Sequence, residues 1–541
     1  KRIRAGIWSP SIIGKEDLML NTKSKKEHRI YTTDLGQLLS GICDVPSALN
    51  TVVHGIQMDS RKVKRGDLFL ALSGSHSAST DHIFEAIKRG ANAVVAEGRL
   101  FKGRVFEDGG AVELFVDDLK LKVGEIADRF FQSPSKDVDV IGVTGTNGKT
   151  SVTSYLAKYF SLNGMKSGFV GTLGYGLSDE EIYSTDHTTP NVVDVHRYLA
   201  ELRDLQAKIV AMEVSSHGLI QGRIDSVHFI GAVFTNLSRE HLDYHGTMDS
   251  YAEAKSLLFK NEDLRFAVIN NDDPYVDAMV LGISERVNVI RYGIDRISPA
   301  SKKTLDSSTD LAATSYELKD GICADITTPE GPVSIKSPLI GRFNLSNLLA
   351  VIGVAIALGH KIENLDVIKD IGSVVGRMEV IKASNQAVVV IDYAHTPNAL
   401  ESALEALRPH CSGLIYLVFG CGGDRDVGKR PEMAAIAEAM ADCVIVTDDN
   451  SRNEDPEKIT SEILKGFKSL AKVTVIHNRA EAILNAMTRA TKDDVILIAG
   501  KGHETWQEVN GVRAFFSDMS EVKNNSAKLM DNMQRVEEER Q

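Results

Sequence analysis

Short apolar runs separated by polar turns fill this chain, and their rhythm changes twice. Between residues 30 and 116 the runs GDLFLAL (66–72), IFEAIKRGANAVVAE (83–97) and VELFV (112–116) read as strand, helix with strand, and strand. That is a small α/β unit. LKVGEIADRFFQSPSKD (121–137) follows as a helix and turn, a natural linker. From residue 138 strand and helix alternate regularly: VDVIGV (138–143), a helix over 150–163, then IVAMEV (209–214), GAVFTN (231–236), FAVIN (266–270) and NVIRY (288–292). Near-continuous apolar strands between helices predict a parallel sheet covered on both faces. Residues 310–338 read as hairpin-like and 345–359 as a buried helix. A third region opens near Gly376, with strands expected at 387–391, 414–419, 443–447, 472–476 and 494–499. It reads as a second doubly wound sheet, and such sheets bind ligands beyond the carboxyl ends of their strands.

The pattern predicts an α/β protein of three domains behind an N-terminal extension (1–29). They are a small α/β module (30–117), a central domain with a mainly parallel sheet (118–375) and a C-terminal Rossmann-like, doubly wound domain (376–541). A length of 541 residues agrees, since it exceeds one hydrophobic core.

Composition narrows the function classes. Apolar residues make up 43% and charged residues 25%, an ordinary soluble balance. The formal charge of −12 argues against a general binder of nucleic acid or membrane surfaces. The longest apolar run, 348–359, is too short for a membrane span of ~20 residues. Five scattered cysteines form no metal spacing and suggest reduced thiols in a cytoplasmic protein.

The sharpest chemistry lies at GVTGTNGKTS (142–151), between a strand and a helix. Glycines let the backbone approach phosphate, and a helix N-terminus favours the negative charge. Lys149 can reach the outer phosphates and Thr150 can ligate Mg²⁺. Gly145, Thr146, Asn147, Gly148 and Ser151 complete the expected ATP loop. The spacing is G-x-x-G-x-x-G-K-T, with Val143 where the usual motif begins with glycine. Two strand-end segments, MEVSSHGL (212–219) and TNLSREHLDYHG (235–246), offer Glu213 and His241 as further metal ligands. Standing alone, His217, His241 and His245 would read as strand caps. Lys255, in SYAEAKSLLF (250–259), would read as a solvated charge on an amphipathic helix.

The variant loop resembles that of the Mur ligases and folylpolyglutamate synthases, which form amides by activating a carboxylate as an acyl phosphate. The resemblance implies that Lys255 is carbamylated and, with Thr150, Glu213 and His241, serves metal binding. Lys149, Lys255 and His241 become the implied catalytic residues. GRFNLSNLLA (341–350) is similar to the adenine-contacting segment, implicating Asn344 and Asn347. GRME (376–379) and DYAHTP (392–397) resemble the hinge and nucleotide turn, with Arg377 toward phosphate and Asp392 toward ribose.

Within the family the chain looks most like the MurE branch, which adds the third peptide residue to UDP-MurNAc-L-Ala-D-Glu in peptidoglycan precursor synthesis. MDSRKVKRGDLFLAL (58–72) resembles its uridine-diphosphate segment, implicating Met58 and Ser60. The next turn implies Ser75, His76 and Ser77, although Ser79, Thr80 and His82 depart from the family pattern. HTTP (187–190) with Ser215, Gln221 and Arg223 matches the muramoyl-dipeptide positions, so His187, Thr188 and Thr189 belong to that set. GCGGDRDVGKRP (420–431), DNSR (449–452) and GKGHE (500–504) match the amino-acid pocket: Arg425, Asp449, Asn450, Ser451, Arg452, Gly500 and Glu504.

Carboxylates there can hold an ammonium and arginine can grip a carboxylate, so the pocket suits a zwitterion. Diaminopimelate-adding members carry D-N-P-R, whereas lysine-adding members generally lack the arginine. The expected enzyme is thus a monomeric cytoplasmic ligase joining meso-diaminopimelate to the UDP-muramoyl dipeptide, using ATP and Mg²⁺. A lysine-adding ligase and a catalytically idle scaffold stand as alternatives.

Overall fold

Three sheets, each wrapped by helices, carry the polypeptide in the computed structural model, which describes residues 29–72, 79–98, 104–106, 110–294, 309–318, 321–382 and 387–540. The first has five strands in the order Gly55–Gln57, Asp67–Ala71, Ala93–Glu97, Val112–Val116 and Arg104–Val105. All pair in parallel except the last, an antiparallel edge.

The central sheet has ten strands. Seven run parallel, in the order Ser167–Gly171, Ile209–Glu213, Asp139–Thr144, Phe229–Phe234, Phe266–Asn270, Asn288–Ile294 and Leu311–Glu317. Antiparallel strands close both ends: Gly174–Leu177 on one side, Ile322–Thr328 and Gly331–Ser337 on the other. Side chains alternate across a strand. Ile141 and Val143 therefore enter the core beneath helices Lys149–Leu162 and Arg342–Ala357, while Val140 packs with Leu199 and Tyr251 on the opposite face. Covering on both faces explains why these strands are apolar at almost every position. Helix Arg342–Ala357 buries eleven residues, so Leu349→Ala would cost roughly 2–5 kcal/mol.

The third sheet has six strands: Glu379–Lys382, Val388–Asp392, Val495–Ala499, Ile415–Phe419, Cys443–Val446 and Val473–Val475. The first pairs antiparallel and the others parallel, so the loops after residues 392, 419, 446 and 499 emerge side by side. Gly420 and Gly500 permit that crowding. A Cβ on Gly420 would stand 2.2 Å from the Thr447 oxygen, and one on Gly500 2.9 Å from Asp449 Oδ2.

The strand expected at 231–236 begins and ends two residues earlier, at Phe229–Phe234. Thr235 and Asn236 are thereby released to bond the phosphate loop. Several elements were not anticipated. They include the strands at 167–177, helix Val192–Asp204, and the hairpin Trp506–Val509 with Val512–Phe515. Helix Asp518–Arg540 also follows. Among the described residues no helix is long and apolar enough to cross a membrane.

Candidate active site

The loop after strand Asp139–Thr144 is shaped by close contacts. A Cβ on Gly145 would lie 1.9 Å from Thr235 Oγ1, and one on Gly148 would lie 2.7 Å from Asn347 Oδ1. Gly148 has φ 84°, a left-handed conformation that glycine adopts without strain. It caps helix Lys149–Leu162 with no side-chain hydrogen bond, so the first-turn N–H groups keep their capacity for an anion. Thr235 Oγ1 donates to the Asn147 oxygen (2.6 Å), and the Asn147 amide donates to Asn236 Oδ1 (2.9 Å). Thr146 Oγ1 bonds the Ser238 oxygen at 3.2 Å, and Ser151 is buried.

Lys149 Nζ folds onto the loop carbonyls of Gly145 (2.8 Å) and Thr146 (2.7 Å). Lys255, 1% exposed, reaches the same Gly145 oxygen at 2.8 Å. Burial, reinforced by the charge of Lys149, drives its pKa well below the ordinary lysine value, with Glu240 opposing. A neutral amine is what carbamylation requires.

Glu213, at the end of its strand, accepts from Thr150 Oγ1 (2.9 Å), Thr172 Oγ1 (3.2 Å) and the Thr172 amide (2.8 Å). Burial raises its pKa, and Lys149 works against that. The Thr150 hydroxyl and Glu213 carboxylate form a hard-oxygen pair that suits Mg²⁺, which takes few protein ligands beside water and phosphate oxygens. His241 is placed differently. It caps the short helix Leu242–His245 with φ 56° and lies 3.8 Å from Glu240 and 4.9 Å, ring to ring, from His217. Among the described residues no three His, Cys, Asp or Glu groups stand at metal-binding spacing.

Glu240, which the motif reading passed over, is the hub here. Burial would raise its pKa, but His241, Lys149, His395 and Lys255 together hold it below the usual value. His395, 3.9 Å away, belongs to the third-sheet region and couples the two regions. Asn147 makes a second link, at 3.4 Å to Asn398.

Arg377 stacks 4.4 Å over Tyr393 and leaves its buried Nε without a hydrogen-bond partner. Asp392 accepts the amides of Met378 (2.7 Å) and Ala394 (2.8 Å). Asn344 is not a helix cap: it bonds the Ile340 oxygen, Tyr155 and Asn347 inside the protein. Asn347 faces the phosphate loop instead, through Gly148.

In the first region Ser60 donates to Glu85 Oε2 (2.6 Å) and Met58 packs on the module's core. Ser75, His76 and Ser77 lie outside the described residues. His187 is exposed, and the Thr188 hydroxyl lies 3.0 Å from that of Thr172. Thr189 is fully buried, giving its hydrogen to the Glu213 oxygen and accepting from the Ser215 amide, so its hydroxyl is engaged within the protein. Ser215 caps helix Ser216–Ile220. Arg223 is tied to Gln221 (2.7 Å) and the Thr189 oxygen (2.8 Å).

The third-sheet loops gather the remaining group. Arg452 has φ 51° and donates from Nη1 to the Gly423 oxygen at 2.8 Å. Its acidic neighbours are committed elsewhere. Asp448 pairs with His477 (2.8 Å), Asp449 lies 3.7 Å from Lys501, Glu454 pairs with Arg430 (2.7 Å), and Asp455 caps helix Pro456–Leu464. Among the described residues Arg452 has no carboxylate partner. Its backbone is clamped by the unanticipated hairpin: its amide donates to the Glu508 oxygen (3.0 Å) and its own oxygen accepts from Asn510 (2.5 Å). The Asn510-Gly511 turn, with φ 50° and 73°, is the sequence signal that announces this hairpin. Asn450 Nδ2 donates to Glu504 Oε2 at 2.8 Å, and Arg425 lies exposed at the rim. Burial would raise the pKa of Asp449, but Arg479 and Lys501 more than offset it.

A glycine-rich loop before a helix, two lysines on one carbonyl and a mixed-charge group of side chains on the third sheet's loops describe a ligase that joins two substrates. Family models agree along most of the chain: "Mur ligase family, catalytic domain" over residues 52–122, "Mur ligase middle domain" over 143–355, and "Mur ligase, glutamate ligase domain" over 376–502. The chain belongs to the Mur ligase family.

Within the family it is 45% identical over 473 residues to the UDP-N-acetylmuramoyl-L-alanyl-D-glutamate--2,6-diaminopimelate ligase of Pseudomonas aeruginosa, covering 87% of this chain and 94% of that protein. The enzyme of the same name from Coxiella burnetii is 41% identical, with 90% and 99% covered. A solved structure bearing this name superposes with a TM-score of 0.66 at 34% identity, over 92% of this chain and 99% of that one. The folylpolyglutamate synthase of Mycobacterium tuberculosis, complexed with ADP and AMPPCP, shares the fold (TM-score 0.58, 20% identity, 70% and 92% covered).

Proposed function

We propose that this chain is an ATP-dependent ligase that adds meso-2,6-diaminopimelate to UDP-N-acetylmuramoyl-L-alanyl-D-glutamate in peptidoglycan precursor synthesis. The observation that carries the choice of amino acid is Arg452, a cation in the pocket whose acidic neighbours are all engaged elsewhere. A second substrate carboxylate gives it a partner, and lysine has none to offer. The relatives' printed activity supports the same choice.

Residues 30–117 hold the UDP-sugar, 118–375 hold ATP, and 376–541 hold the amino acid. ATP lies along 145–151, with Arg377, Asp392 and Asn347 around the nucleotide. The carboxylate of the terminal D-Glu attacks the γ-phosphorus, the bond to ADP breaks, and an acyl phosphate forms. Lys149, already against the loop, neutralises charge spreading over the transferred group. Mg²⁺, held by Thr150 and Glu213 with His241 and carbamylated Lys255 as further ligands, would supply charge neutralisation at the phosphates. Arg452, Asp449 and Glu504 orient the amino acid, whose reacting amine attacks the acyl carbon through its nitrogen. Phosphate departs, the nitrogen loses its proton, and the amide remains. The His395–Glu240 and Asn398–Asn147 contacts link the amino-acid region to the ATP region, and closure along that boundary would keep out water that hydrolyses the acyl phosphate.

We assign the enzyme to the cytoplasm as a monomer. Five free cysteines support the compartment. The test is phosphate release from ATP with the UDP-muramoyl dipeptide. Release is expected with meso-diaminopimelate and not with L-lysine. Preference for lysine overturns the Arg452 argument, and no release with any amino acid overturns the ligase.

A further inference from the structure

Lys501 is fully buried, yet it stands at the floor of the amino-acid pocket. Its Nζ donates to Asn450 Oδ1 (3.1 Å) and Glu504 Oε2 (3.1 Å) and lies 3.7 Å from Asp449 Oδ1. Its other face is 5.5 Å from the Trp506 ring. With no exposed surface, the ammonium does not itself meet a ligand. Stability alone is a poor account of it, because replacing buried ions with apolar groups is often neutral or stabilising. What Lys501 does govern is the presentation of Glu504. Oε2 of Glu504 is held twice, by Lys501 and by Asn450 Nδ2 (2.8 Å), whereas Oε1 makes no hydrogen bond among the described residues. The side chain is 17% exposed, so that second oxygen is open to the pocket. Asp449 and Glu504 also approach one another across Lys501. Two carboxylates sharing a site resist double ionisation unless a cation stands between them.

We propose that Lys501 is a positioning residue for substrate recognition: it fixes Glu504 through one oxygen and leaves the other to receive the second ammonium of the amino-acid substrate. Asn450 completes the clamp, since its own Oδ1 is fixed by the Glu508 amide (3.0 Å) and Lys501. Selection for a diamino acid thus depends on a lysine that touches no substrate. This inference rests on the diaminopimelate reading.

The experiment compares meso-diaminopimelate with 2-aminopimelate, which keeps one amine and both carboxylates but lacks the second amine. The wild-type chain is expected to favour meso-diaminopimelate in kcat/KM by about 100-fold or more, because a site built to bond an amine rejects the analogue lacking it. Lys501→Met is expected to shrink that ratio at least about tenfold through KM for the amino acid, with KM for ATP unchanged. Lys501→Arg, retaining a cation, should recover part of the ratio. Should Lys501→Met not fold, Lys501→Gln carries the same comparison, with its N–H donors but no charge. An unchanged ratio in a folded variant overturns the proposal. A wild-type chain that does not use meso-diaminopimelate overturns the underlying reading instead.

Discussion

Lys149 and Lys255 bring their ammonium groups to one oxygen: each Nζ lies 2.8 Å from the carbonyl of Gly145. Two cations at one acceptor repel, and burial leaves little water to screen them. The arrangement is tolerable if one of them gives up its proton, and Lys255 is the one whose pKa falls furthest. Lys255→Met should therefore stabilise the fold at neutral pH, because a lysine that folds without its proton must first release it and a methionine need not. Gly145 keeps Lys149 as its donor. Activity should drop about 100-fold or more, as when a charge-stabilising group is lost from a site. Lys255→Arg should be equally inactive, since a guanidinium does not become the neutral amine that carbamylation needs. Melting curves and turnover check both halves; full activity in Lys255→Arg removes the carbamate role.

Arg452→Ala should lower kcat/KM for meso-diaminopimelate by about two to four orders of magnitude, because it strands a substrate carboxylate worth ~3–5 kcal/mol when paired. KM for ATP should not move, since the nucleotide residues lie on other elements. Steady-state kinetics with each substrate varied in turn separate the two.

Ser451 stands where the diaminopimelate-adding pattern has proline. Its buried Oγ has no hydrogen-bond partner, and its amide makes no hydrogen bond among the described residues. Ser451→Pro should therefore raise stability, by ~0.4–1 kcal/mol from the stiffer unfolded chain. Denaturant midpoints measure it, and a large loss would mean that the backbone at 451 is incompatible with the ring.

His503 gives the fold an acid limit. Burial, aided by Arg377, lowers its pKa to about 4. An unfolded histidine titrates near ~6.5, so the unfolded state binds the proton first. The folded form is therefore favoured in full above ~6.5 and loses up to about 3 kcal/mol as pH falls toward 4. His503→Asn should flatten that part of the stability–pH curve, read as thermal midpoints at pH 7 and pH 5.

The parallel core was readable because strands buried on both faces are apolar at almost every position, as at 138–143 and 266–270. The phosphate loop was readable because its chemistry is local: the glycines, Lys149 and Thr150 are contiguous. The hairpin at 506–515 escaped notice although Asn510-Gly511 announces it, since its strands are short and largely exposed and carry no buried face. Glu240 and Lys501 escaped for another reason. Each acts through partners distant in sequence, His395 in one case and Asn450 in the other. Period and motif report what lies along the chain, whereas a counter-ion is defined by what the fold brings beside it. Arg452 stood out in the sequence, but its anchoring to Gly423 and Asn510 was visible only in three dimensions.

The clamp that hairpin 506–515 places on Arg452 bears on how such enzymes can be re-engineered. Residues 449–452 do not hold their own shape. Gln507 bonds the Asp449 oxygen, Glu508 bonds both Asn450 and Arg452, and Asn510 closes the frame. A chimera that imports only the four-residue loop from a lysine-adding relative would set foreign side chains in a frame cut for this one. The transplantable unit is the loop together with a hairpin more than fifty residues downstream, and the two must be exchanged as a pair.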